Sequence, residues 1–221
     1  TAFYCIGDEK SPADFALDGC RFVSLGEQQE LPFRLARALP TSHYARKNLG
    51  YLLAIQNGAQ QVLETDDDNA PLAAFWTSRP VSIVAEPVAG TGWTNAFAYF
   101  TEQPIWPRGF ALEQLLGRGA CELGPEGGFF CPVQQGLANG DSDVDAIYRL
   151  TNNDAVIFNE RMPVVLGPGC WCPFNSQSTY WNREAFALLY LPSFCTFRMT
   201  DIWRSFVAQR CLWAAGWQLA F

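Results

Sequence analysis

The sequence predicts an α/β domain, and three stretches carry that prediction. Residues 2–6, AFYCI, are a short apolar run closed by Gly7 and Asp8, the pattern of a buried strand. Between Ser42 and Asn57, Ala45, Leu49, Leu52 and Leu53 recur at the spacing of one helix face. Residues 60–65 then read as a strand, reached through the helix stop Asn57-Gly58. A helix feeding a strand through a short link is α/β alternation.

Size and composition set the bounds. A chain of 221 residues that is 49% hydrophobic and 14% aromatic can build one domain, 1–221, with a real core. Fifteen cationic and 22 acidic side chains leave a net charge of −7 and a pI near 4.7. That balance argues against nucleic acid as a partner, so any phosphate site must come from a few local cations. No run reaches the length of a bilayer span. The first residue is Thr1 rather than Met, so we expect a processed chain or an excised domain, with any membrane anchor outside it. The even count of eight cysteines is compatible with a secretory compartment. Their spacing, with one histidine, gives no zinc site. Cys5, Cys195 and Cys211 lie in apolar stretches and read as core thiols, whereas Cys121 and Cys131 flank a glycine-rich loop that a bridge can close.

The first strand ends in the turn GDEKSP, placing Asp8 and Lys10 at its carboxyl end. They serve either an ordinary turn or a nucleoside contact. Residues 21–26 read as a second strand, and a polar stretch follows to Pro40. Thr41 or Ser42 can cap the helix of 42–57. Arg46 and Lys47 near its amino end oppose the helix dipole unless a diphosphate binds there; otherwise they are solvated cations. His43 reads as a structural or capping residue.

The strand of 60–65 delivers ETDDDN, residues 64–69. Adjacent carboxylates repel, and a divalent cation is a common reason to gather Asp66, Asp67 and Asp68. Mg²⁺ and Mn²⁺ take such oxygens and keep open positions for substrate phosphates. On an extended strand Asp66 and Asp68 share a face and Asp67 takes the other. A solvated acidic turn running into Asn69 is the alternative. An EF-hand is excluded, because its glycine slot falls on Pro71, or on Ala146 for the later acidic run.

Val81–Val84 reads as a further strand. In IWPRGF, residues 105–110, Trp106 and Arg108 sit on a loop, as a surface turn or as a sugar or phosphate contact. Residues 119–150 open on a glycine-rich stretch. Gln134 and Gln135 offer amides to sugar hydroxyls, and Asp143 and Asp145 remain candidates beside Asp141, which reads as solvated. Asn175, Ser176 and Gln177 lie among aromatics, a sugar-binding composition or a polar loop over the core. The last helix runs from Thr200-Asp201 to about Trp213, with Trp203, Phe206, Val207 and Trp213 on one face. Asp201 is an N-cap or a carboxylate base facing an acceptor hydroxyl, and Arg204 can pair with it or with phosphate.

Taken together, GDEKSP (7–12), YARKNLGYLLAIQNGAQQVLETDDDN (44–69), IWPRGF (105–110), PVQQGLANGDSDVDAIYRLT (132–151), PFNSQSTYW (173–181) and TDIWRSFVAQRCLW (200–213) resemble the STELLO-type glycosyltransferase-like family. A more distant likeness is to the reversibly glycosylated polypeptides, the UDP-arabinopyranose mutases. The resemblance implies a GT-A fold, that is, a Rossmann-like, mainly parallel mixed sheet with helices on both faces, in a single domain. It implies a nucleotide-sugar donor, most often UDP-linked, with Mn²⁺ or Mg²⁺ bridging the Asp-x-Asp and the diphosphate; Asp66 would contact ribose or metal, and Asp68 the metal. Asp8 and Lys10 would lie by the nucleoside, Arg46 and Arg108 would hold phosphates or sugar, and Asp201 would be the base. A glycan or protein would be the acceptor, in the Golgi or another secretory compartment. Glu9 departs from the basic residue usual in relatives, and the late metal-ligating histidine common among GT-A enzymes is missing. A nucleotide-sugar mutase or self-glycosylating protein, and a non-catalytic scaffold for a polysaccharide synthase, are the alternatives.

Overall fold

A computed structural model describes residues 1–12, 14–115 and 121–221. The first two residues of the stretch 119–150 therefore lie outside the described residues. Strands β1 (Phe3–Ile6) and β2 (Cys20–Val23) pair in parallel, Phe3 beside Cys20. One buried side chain ties their carboxyl ends together: Gln28 Nε2 donates to the carbonyls of Gly7 at 2.7 Å and Val23 at 2.8 Å. Gln28 belongs to α1 (Leu25–Glu30), which starts in a capping box between Ser24 and Glu27. Together with α2 (Arg34–Ala38), it occupies the stretch read above only as polar. Helices this short present no full apolar period.

The helix expected over 42–57 forms in two parts, a 3₁₀ turn over Tyr44–Lys47 and then α3 (Asn48–Gln56). His43 does cap: its Nδ1 accepts from the Ala45 N–H at 3.1 Å. The end is as read, with Gly58 at φ +79° and Ala59 donating to the Ala54 carbonyl at 3.0 Å. Strand β3 (Gln61–Thr65) stops before the carboxylates, so Asp66, Asp67 and Asp68 lie on a turn beyond it, and the alternation argument does not reach them.

Further along come β4 (Ser82–Pro87), β5 (Gly92–Trp93), β6 (Gly127–Phe130), β7 (Val133–Gln135), α4 (Ala146–Thr151), β8 (Val164–Leu166), β9 (Cys170–Trp171), β10 (Ser178–Asn182), α5 (Thr200–Ala214) and β11 (Leu219–Ala220). Seven strands form one mixed sheet in the order β3-β10-β7-β11-β8-β4-β6. The α/β class and the mixed sheet are as expected. The balance of directions is not, since only the β7–β11 and β4–β8 pairs are parallel.

Both faces of the sheet are apolar where β8 crosses it. Val164 and Leu166 join the main core with Leu49, Val133, Trp181, Ala208 and Leu212. Val165 faces a second, small cluster with Ala85, Cys131 and Ala220. All eight cysteines are free, so the Cys121–Cys131 bridge does not form. Burial pushes the thiols of Cys131 and Cys172 up to about 12. Cys211 is exposed rather than in the core.

The helix α5 reverses its expected orientation. Trp203 and Val207 are 54% and 60% exposed, while Asp201, Arg204, Ser205 and Gln209 are buried with Ile202, Ala208 and Leu212. The buried polar groups have partners: Gln209 Oε1 accepts from the Cys172 N–H at 3.1 Å, and Ser205 Oγ donates to the Ile202 carbonyl at 2.7 Å. Phe206 and Trp213 pack outward on Trp171. Met199, not Thr200 or Asp201, is the N-cap residue. No helix among the described residues is long and apolar enough to cross a membrane.

Candidate functional site

The site is built around residues 175–177, the loop entering β10. Gln135 on β7 fixes that loop, accepting from the Asn175 N–H at 3.1 Å and donating to Asn175 Oδ1 at 3.2 Å. On one side, Lys47 Nζ lies 3.4 Å from the Ser176 carbonyl, 3.1 Å from Asp66 Oδ1 and 3.0 Å from Tyr44 Oη. The Tyr44 hydroxyl donates to the same Asp66 oxygen. On the other side, the Ser176 N–H donates to Asp201 Oδ2 at 3.3 Å.

Arg108 completes the arc. Its Nε and a terminal nitrogen each lie 2.7 Å from an oxygen of Asp143, and that terminal nitrogen also lies 2.8 Å from Asp201 Oδ2. Its other terminal nitrogen donates to the Arg198 carbonyl. Gln177 Oε1 accepts from the Asp143 N–H at 3.1 Å, which returns the arc to its loop. Asp66, Lys47, Arg108, Asp143 and Asp201 thus surround one stretch of backbone, although they come from five separate parts of the chain.

The electrostatics follow from partial burial of like charges. Burial raises the Asp143 carboxyl above its ordinary value; Arg108 opposes this, and the charges of Asp201 and Asp66 add to it. Burial alone would lower Arg108, but Asp143 and Asp201 together hold its guanidinium charged. Burial and then the Asp66 charge hold the Tyr44 phenol well above 10, so it acts as a donor to Asp66.

Other candidates stand elsewhere. Asp8 spends its oxygens on the N–H groups of Glu9, Ser42 and His43, fixing the loop before α3. Glu9, the departure from the family pattern, accepts from Thr41 and Ser42 in the same loop. Lys10 is exposed. Arg46 is buried away from the arc and gives its N–H groups to Gln28 and to the carbonyls of Leu39 and Pro40. Arg204 is likewise removed from any phosphate: it pairs with Glu64 at 2.6 Å, both side chains 1% exposed. Gln134 donates to the carbonyls of Pro80 and Cys131, so neither glutamine offers a free amide. Trp106 packs edge-on against Tyr148, and Asp145 caps α4. Asp67 and Asp68 are exposed, and Asn69 donates to Asp68 at 3.2 Å.

Sequence reasoning passed over Tyr44 and Glu64. Glu64 shares the buried face of β3 with Val62, and a carboxylate at an inward strand position calls for partners. It finds them in Arg204, the Trp181 indole at 2.7 Å and the Tyr51 hydroxyl. Tyr44 gave no comparable signal.

No family model matches the chain. Two Arabidopsis thaliana proteins, "Probable glycosyltransferase STELLO2" and "Probable glycosyltransferase STELLO1", are each 31% identical to it over 237 residues. The alignments take in 97% of this chain but 31% and 30% of those proteins, so the chain spans about a third of the length of the curated relatives it matches. The aligned length takes in the segments that supply the arc, and the 31% identity across it supports placing this chain in the STELLO-type glycosyltransferase-like family.

Proposed function

We propose that this chain is a glycosyltransferase domain that takes a sugar from a nucleotide-sugar donor, UDP-linked, and passes it to a glycan or protein acceptor. The observation that carries the reading is the convergence of Asp66, Lys47, Arg108, Asp143 and Asp201 about residues 175–177. Lys47 and Arg108 are local cations of the kind an acidic chain needs for a diphosphate.

Asp66 and Asp68 would hold a hard divalent cation, with the diphosphate supplying further oxygens. The Asp66 side chain is 33% exposed, and its Oδ2 has no partner among the described residues. Asp68 is exposed on the same turn. Mg²⁺ or Mn²⁺ is commonly held by one or two carboxylates together with substrate phosphates, and such a cation would neutralise the diphosphate leaving group. Arg108 positions Asp201, whose carboxylate takes up the acceptor proton. The family resemblance supports a Golgi or other secretory location.

Thermal unfolding with a panel of nucleotide sugars, with and without Mn²⁺, tests the donor. A hundredfold excess over Kd stabilises by about 2.7 kcal/mol. Asp201→Asn tests the base: transfer is expected to fall by about two to four orders of magnitude while donor binding persists. Full transfer by that variant removes Asp201 from the role.

A further inference from the structure

We propose that Lys47 closes Asp66 to a bare divalent cation and yields it to a nucleoside diphosphate, so that cation and diphosphate load as a pair. This rests on the donor reading above. The Lys47 ammonium has three N–H donors, and three oxygens stand around it: Asp66 Oδ1 at 3.1 Å, Tyr44 Oη at 3.0 Å and the Ser176 carbonyl at 3.4 Å. Asp66 Oδ1 in turn takes both the ammonium and the Tyr44 hydroxyl. A divalent cation joining this carboxylate meets a fixed positive charge beside it, and like charges in a partly buried site repel. Moving Lys47 aside strips three contacts from the ammonium unless an anion replaces them.

A diphosphate is such an anion. It offers several charged oxygens to Lys47 and the rest to the cation. Lysine suits the exchange, because its charge sits on a flexible four-carbon stem. The pair is also within reach of solvent, with Lys47 and Asp66 side chains 21% and 33% exposed. The buried Glu64–Arg204 pair nearby has no such freedom. Binding of the two ligands is then reciprocal: each raises the affinity of the other by the same factor.

Titration calorimetry with MnCl2, with UDP and with both tests this on the wild-type chain, Lys47→Met and Tyr44→Phe. In the wild type, saturating UDP is expected to tighten Mn²⁺ at least tenfold. In Lys47→Met, Mn²⁺ alone is expected to bind at least tenfold more tightly than in the wild type, and its coupling to UDP to shrink. Tyr44→Phe removes a donor from the same oxygen without removing a charge, and is expected to leave Mn²⁺ alone weak. Asp66→Asn identifies the site, since it should abolish the gain made by Lys47→Met. If Mn²⁺ alone binds equally to the wild type and to a folded Lys47→Met, the inference fails while the donor reading stands. If UDP with Mn²⁺ does not bind the wild type at all, both fail.

Discussion

The Glu64 carboxylate braces the segments that carry Asp66 and Asp201, although it is not part of the arc. It sits two residues before Asp66, and Arg204 sits three residues after Asp201, so their ion pair spans from the end of β3 to the first turns of α5. The Trp181 indole and the Tyr51 hydroxyl fill its other hydrogen bonds, and the Arg204 guanidinium lies 4.8 Å from the Trp181 ring centre. Removing one member of a buried pair leaves the other charged and unpaired, at a cost of about 3–5 kcal/mol. Glu64→Gln is therefore expected to destabilise the fold by that amount in urea unfolding, and the double variant Glu64→Gln/Arg204→Met to recover part of it. A loss below about 1 kcal/mol for the single variant would show the pair to be dispensable.

Elements position the arc through close approaches as much as through polar bonds. Gly109 follows Arg108 at φ +85°, and a Cβ there would come within 2.5 Å of Ile202 Cγ2 on α5. The loop of 105–110 thus rests on the turn of α5 that holds Asp201. Gly109→Ala combines backbone strain with overpacking, each costing about 1–3 kcal/mol. It is expected to lower the midpoint of unfolding and to loosen Arg108 from Asp201. A crystal structure of the variant with that contact unmoved would count against this account. At this scale the sequence was legible in part. Strand β1, the capping role of His43 ahead of the 3₁₀ turn, the stop of α3 at Gly58 and the extent of α5 were readable from spacing and turn chemistry. The orientation of α5 was not, because Trp203, Phe206 and Val207 look like a core stripe. The side that is buried carries Asp201, Arg204, Ser205 and Gln209, and their partners, on distant segments for Asp201, Arg204 and Gln209 and within the helix for Ser205, make that burial tolerable. Arg46 misled for the same reason, its partner Gln28 lying on a helix with no periodic signature.

Over the whole molecule, burial of ionisable groups sets how stability responds to alkali. The thiols of Cys131 and Cys172 ionise at about 12 in the folded state against an ordinary 9.0. Between these values the folded chain keeps protons that the unfolded chain has lost, so stability is fully present below about 9 and declines as pH rises towards 12. The Tyr44 and Tyr51 phenols, held well above 10, act in the same direction. Urea unfolding across that range is expected to show the decline, and Cys131→Ala to flatten it; an unchanged slope would contradict the burial assigned to Cys131. The tertiary assembly was the least readable level. Strands of two or three residues, buried on both faces as β8 and β11 are, give no alternation to detect.

Strand β11 carries a consequence for synthesis. It supplies the seam between β7 and β8: in the strand order of the sheet, among the described residues, β11 lies between β3-β10-β7 and β8-β4-β6. During synthesis every other strand of the sheet is made before this seam. The facing edges of β7 and β8 then stay unpaired until residues 219–220 are made and insert between them.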